Sequence, residues 1–155
     1  MGATDTYRQF LDALNAKDLE RAATHVDLDR YAENCVGFTP GFVGWSAART
    51  SLEKVWEGIP DLRVEVVDLF GDERRALARG RAHGTNTGRR YGVPATRKAY
   101  TVTFFDSVEV VDGLIVRRVQ QADAITRMRQ LYGRGVGSMG VLSCLFRVDP
   151  GAPGL

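Results

Sequence analysis

Histidine and cysteine are the scarcest chemistry-bearing residues in this chain, with two of each in 155 residues. His25 and His83 stand far apart with no HxH or HExxH spacing, so no dedicated transition-metal site is expected. Cys35 and Cys144 form no CxxC motif, and a reduced protein is the default, although two cysteines could in principle pair. No apolar run is long enough to span a bilayer and no secretory leader is evident, so a cytoplasmic protein without membrane partners is expected. An excess of one charge is lacking too: 21 basic against 19 acidic residues leave a formal net charge of +2. The arginine pairs at 74–75, 89–90 and 117–118 are scattered, and no nucleic-acid partner is expected from them. What remains is a chain with 44% apolar residues, of a size that forms one domain with its own core.

Read in order, the chain is helical first and extended afterwards. Thr4 or Asp5 can cap a helix carrying Tyr7, Phe10, Leu11 and Leu14 on one face. Asp18 caps a second, short helix. Residues 27–44 read as irregular. Ser46 caps a third helix with Ala48, Leu52, Val55, Trp56 and Ile59 at helical spacing, and Pro60 stops it. Trp56 reads as core, whereas Trp45, beside Gly44, could lean over a cavity. After Pro60 the period changes from 3.6 to 2. Strands are expected from Leu62 to about Phe70 and from Arg75 to Thr87. The second has one face of Ala76, Ala78, Gly80, Ala82 and Gly84, which either lets something pack very close or leaves room for a ligand. We expect the latter, a flat wall suited to a broad, fused-ring molecule. Its other face, with Arg79, Arg81 and His83, is expected to meet a second subunit. Residues 134–155 form a Gly-rich tail that is either loosely held or packs on a partner subunit.

Between them lies a hairpin. Asp112-Gly113 joins two β-branched runs, the composition of a two-residue turn with positive φ at both positions. A tight turn pairs Asp106 with Val119, Phe104 with Gln121 and Val102 with Asp123. Opposed residues share a face, so Tyr100, Val102, Phe104, Asp106, Val108 and Val110 join Ile115, Arg117, Val119, Gln121 and Asp123 on the apolar side. Asp106, Arg117, Gln121 and Asp123 would then be polar groups aimed into a largely apolar interior, the signature of a site. A single bulge would flip part of this register. The element order, three helices followed by an antiparallel sheet, is α+β.

Several segments together resemble SnoaL-like polyketide cyclases and related ester cyclases. Gly58-Ile59-Pro60-Asp61-Leu62 is similar to the Pro-Asp-Leu signature that ends their third helix. Gly84-Thr85-Asn86-Thr87-Gly88 and Gly92-Val93-Pro94-Ala95-Thr96 resemble their Gly-Thr-His-Thr-Gly and Gly-Ile-Pro-x-Thr segments, with Asn86 in place of histidine. Asp112-Gly113, Asp123 and Gln130-Leu131 match their closing hairpin and last helix. The resemblance spans about residues 4–133. It implies a nuclear-transport-factor-2-like cone, three helices packed in a curved antiparallel sheet. It further implies a homodimer through the outer sheet face, and no cofactor. The implied activity is ring closure on a hydrophobic, polyketide-like small molecule in secondary metabolism. It places the acid/base role on Asp123 and a polar pocket residue at Asn34.

By residue type alone Asp123 reads as a helix N-cap; the resemblance and the inward register together argue for catalysis. The substrate contacts expected beside it are Asn34, Trp45, Asn86, Phe104, Arg117 and Gln121. Asp106 and Arg117, diagonal on one face, read equally as a structural pair or as substrate-orienting groups. Two carboxylates, Asp106 and Asp123, with an arginine beside one of them also suit epoxide opening. Relatives that act in hydroxylation, or a binding module in which Asp123 only caps a helix, are further alternatives.

Overall fold

The computed structural model describes residues 2–36, 41–89 and 95–133. Helices α1 (Ala3–Asn15), α2 (Leu19–Ala23) and α3 (Trp45–Gly58) precede the main sheet in sequence, interrupted by two short strands, β1 (Ala32–Val36) and β2 (Phe42–Val43). Strands β3 (Arg63–Gly71), β4 (Arg75–Thr85), β5 (Ala99–Val111) and β6 (Leu114–Ala122) follow, and α4 (Ala124–Tyr132) ends the described chain. The six strands form one curved, unclosed sheet in the order β2-β1-β6-β5-β4-β3. The helices pack into its concave face, which gives the nuclear-transport-factor-2-like cone.

Each helix is where its apolar spacing puts it, and the caps differ in kind. Asp18 accepts from Arg21 N and caps α2 as expected. Neither α1 nor α3 has a side-chain cap; α3 starts one residue before Ser46, after Gly44 at φ +85°. Tyr7, Phe10, Leu11 and Leu14 of α1 are buried against Val108, Val110 and Ile115 of the hairpin. Asn15 ends α1 by acting as a strand neighbour: its amide donates to Val64 O and its oxygen accepts from Val64 N, both at 2.8 Å. The small residues of β4 serve close packing. Ala76 and Ala78 belong to the core. A Cβ on Gly80 would stand 2.3 Å from the Phe104 ring and one on Gly84 2.4 Å from Ile59. The expected open wall for a broad planar ligand is therefore corrected: rings and helix ends occupy that space, and of the five only Ala82 lines the cavity between the helices and the sheet.

The Asp112-Gly113 turn has φ +51° and +78°, and Val111 faces Leu114 as the tight turn requires. The register then slips. Val110 pairs Ile115, but Glu109 pairs Arg117, so β6 carries one extra residue, Val116. Every side chain beyond the bulge changes face. Arg118, rather than Arg117, is buried, and Asp106 opposes Gln120. Residues 27–44, expected to be irregular, hold β1, which runs parallel to β6 and pairs Glu33 with Arg118 and Cys35 with Gln120. The tail at 134–155 lies outside the described residues. No helix among them is long and apolar enough to cross a membrane.

Candidate functional site

Four side chains from four elements, with Tyr31 just ahead of β1, meet in the interior. Asp106 of β5 is 2% exposed, and its Oδ2 accepts from Tyr7 Oη of α1 and from Arg118 Nε at 2.9 Å. Arg118 Nη2 reaches the same oxygen at 2.8 Å. The other end of the guanidinium meets Glu33, Nη1 to Oε1 at 3.3 Å, and Tyr31 Oη donates to Glu33 Oε2 at 2.6 Å. The line Tyr7–Asp106–Arg118–Glu33–Tyr31 thus sets one guanidinium between two carboxylates, each with a phenol behind it. Buried charges are tolerated when paired and hydrogen-bonded in this way.

Burial sets the protonation states of the flanking groups. The Tyr7 phenol is pushed far up by burial and by the neighbouring Asp106 carboxylate. Burial and Glu33 do the same to Tyr31. Both phenols therefore remain donors. Burial alone would depress Arg118, but Asp106 and Glu33 outweigh it and hold the guanidinium well above its ordinary value. Cys35 donates to Gln120 Oε1 at 3.3 Å, and burial raises its thiol to about 11, so it is an inert thiol near neutrality.

One end of this line opens on a cavity of about 130 Å³ between α1, α3 and the concave sheet. Glu33, Cys35, Arg118 and Gln120 form its polar wall. Leu11, Leu14, Leu52, Trp56, Val102 and Phe104 belong to the apolar remainder, and Arg127 reaches it from α4, its guanidinium 5.7 Å from the Tyr100 ring centre. Asp106 and Tyr7 do not line the cavity; they stand behind Arg118.

The expected site residues divide accordingly. Asp106 points inward, and Phe104 lines the cavity. The others do not line it. Arg117 opposes Glu109 on the outer face, and Gln121 opposes Phe105 there, because of the bulge. Asp123 is exposed, and its carboxylate accepts from Thr126 N at 2.9 Å as the α4 N-cap. Hydrogen bonding to the Thr126 side chain foremost, and to its backbone N–H, holds the carboxyl below the usual range. Asn34 lies between Glu33 and Cys35 on β1 and so faces away from the cavity they line. Trp45 is core, edge-on to Phe10 and Tyr31 at 6.1 and 5.8 Å, whereas Trp56, read as core, is in the cavity wall. Asn86 is buried beside Tyr132, its amide 3.5 Å from the phenol oxygen, and does not line the cavity. The sequence reading assigned none of Glu33, Arg118, Gln120, Tyr7 and Tyr31 to a site. The signal available was Asp106 itself, a carboxylate on an apolar strand face that needs a buried cation. Among the described residues, no group of histidine, cysteine and carboxylate side chains could hold a metal ion.

The curved six-stranded sheet and its helices thus enclose a mostly apolar cavity with one carboxylate–guanidinium wall. The sequence model of the SnoaL-like polyketide cyclase family matches residues 4–131, and the chain belongs to that family. No curated protein sequence matches it. Similar solved structures include IdmH from Streptomyces antibioticus, a candidate polyketide cyclase. It is 25% identical, with 82% of this chain and 96% of that one covered, at a TM-score of 0.72. TsrD from Streptomyces laurentii is 22% identical over 84% and 94% of the two chains, at a TM-score of 0.71. An LEH-like epoxide hydrolase from M. tuberculosis is 18% identical over 83% and 88%, at a TM-score of 0.67.

Proposed function

We propose that this protein is a cofactor-independent cyclase that closes a ring by intramolecular aldol chemistry, with Glu33 as the acid/base and Arg118 as the oxygen-binding group. The observation that supports the reading is the position of Glu33. It is the carboxylate at the cavity wall, and its two oxygens are already oriented by Arg118 and Tyr31. Glu33 takes the proton from a carbon beside a carbonyl, and the developing enolate oxygen is held by the Arg118 guanidinium. The enolate carbon attacks a second carbonyl of the same molecule. Glu33 returns its proton to the new alkoxide, so one C–C bond forms and no electron acceptor is needed. The resemblance gave this role to Asp123; we transfer it to Glu33 because Asp123 is spent on capping α4 outside the cavity lining.

The first half of that cycle can be measured without the natural substrate. Exchange of the α-protons of cyclohexanone in D2O should be accelerated by the wild-type protein. Glu33→Gln should lower that rate by about 10²-fold or more, the usual contribution of a general base. Equal rates for the two proteins would remove Glu33 from the chemistry.

One observation favours a second reading. The Glu33–Arg118 pair at the cavity wall also suits epoxide opening, in which Glu33 takes a proton from the attacking water, Arg118 donates to the epoxide oxygen, and Glu33 returns the proton to the alkoxide. Turnover of a small epoxide but no ketone exchange would select it. We further propose a homodimer through the outer sheet face, where Phe70, Leu77 and Phe105 are 69%, 58% and 56% exposed on neighbouring strands. Exposed apolar groups clustered in this way mark an interaction surface.

A further inference from the structure

The cavity is small for the molecules that a polyketide cyclase suggests. Its volume is about 130 Å³. Pockets for drug-sized ligands run to about 300–1,000 Å³, whereas a dry cavity of about 150 Å³ accommodates benzene. Two aromatic side chains set this limit. Phe104, 1% exposed, lies across β4 so closely that only glycine fits beneath it at position 80. Trp56 faces the same space from α3. Arg118 cannot retreat to enlarge the cavity, because Asp106 holds it by Nε and Nη2 and Glu33 by Nη1. Asn15, which also lines the cavity, is fixed by two hydrogen bonds to Val64. The walls are therefore pinned by ion pairs, side-chain amide hydrogen bonds and ring contacts.

We infer that the substrate is a compact molecule of about one ring's volume, with a carbonyl or ether oxygen that accepts from Arg118, and that Phe104 and Trp56 are the residues that exclude fused polycycles. The inference rests on the wall assigned above, with Arg118 as donor, but concerns binding and needs no proton transfer. Substrate enters as a short chain or single ring. The reaction that supplies it must deliver a short oxygenated chain, and the product is a ring small enough to leave by the same route.

The two tryptophans provide the test. Trp56 lines the cavity, whereas Trp45 is buried in the core and does not. Cyclohexanone titrated into the isotope-labelled wild-type protein should shift the Trp56 indole and Arg118 Nε resonances saturably and leave Trp45 in place. Anthrone, with three fused rings, should leave all three unmoved. Trp56→Ala and, separately, Phe104→Ala should admit anthrone, read at the Arg118 resonance, with affinity at least tenfold above wild type. Trp56 is only half-buried, so its variant keeps the test open should Phe104→Ala fail to fold. Anthrone saturating the wild-type Arg118 signal as readily as cyclohexanone would overturn the size limit. Cyclohexanone leaving Trp56 and Arg118 unmoved would overturn the ligand assignment. Binding as expected without α-proton exchange would instead contradict only the chemistry proposed for Glu33.

Discussion

Arg118→Leu is the perturbation whose cost the structure fixes best. The guanidinium side chain is 6% exposed, and those of its partners Asp106 and Glu33 are 0% and 10% exposed. Removing it strands two carboxylates in the interior with a phenol each. Oδ1 of Asp106 already has no hydrogen-bond partner among the described residues, so that carboxylate has no reserve of donors. Breaking a buried pair by deleting one partner costs about 3–5 kcal/mol, against a typical domain stability of about 5–15 kcal/mol. For a chain of this size each kcal/mol lowers the melting temperature by roughly 2–4 °C, so a fall of roughly 6–20 °C is expected. Replacing all three groups at once, as Arg118→Leu, Asp106→Leu and Glu33→Leu, should recover most of that loss, because apolar residues in place of a buried ion cluster are often neutral or stabilising. Calorimetric melting of the single and triple variants decides the matter. If Arg118→Leu melts with the wild type, the cluster is hydrated and the reasoning about a dry, pinned wall is wrong. If the triple variant is no more stable than the single one, the cluster is structural cement rather than a costly functional feature.

Asp123→Ala removes the α4 cap and should cost about 1 kcal/mol while leaving cyclohexanone exchange within twofold of wild type; a loss of exchange comparable to that of Glu33→Gln would return the acid/base role to Asp123. Phe105→Asp on the outer sheet face should convert a dimer to a monomer in sedimentation equilibrium without changing the melting curve of the dilute protein. A wild-type chain that sediments as a monomer at micromolar concentration would remove the dimer altogether.

The motifs that made the fold legible turn out to be fastenings. Asp61 of the Pro-Asp-Leu segment accepts from the backbone and hydroxyl of Thr85 at 2.7 and 2.8 Å, tying the end of α3 to the end of β4. Those bonds, the backbone one foremost, hold its carboxyl below the usual range. Gln130 of the Gln-Leu pair bridges the N–H and C=O of Thr101, fixing α4 along β5 where β6 has ended. Residues that fasten elements at fixed spacing leave a pattern in the sequence. The polar wall leaves none. Arg118 reaches Asp106 only because Val116 bulges, and a Val-Arg-Arg run carries no sign of which arginine turns inward. Glu33 joins them through a parallel pairing between strands more than eighty residues apart in sequence, in a stretch whose Gly and aromatic content reads as loop. The alternation of β4 was legible and its meaning was not: Ala and Gly say that something comes close, and only the structure shows Phe104 and Ile59 there.

The most direct measurement is the position of cyclohexanone in a crystal of its complex with the wild-type protein. The ketone oxygen is expected about 3 Å from an Arg118 nitrogen, with an α-carbon facing the Glu33 carboxylate and the ring between Trp56 and Phe104. A ketone found instead beside Asp123, with the Glu33–Arg118 wall untouched, would contradict the assignment of the site.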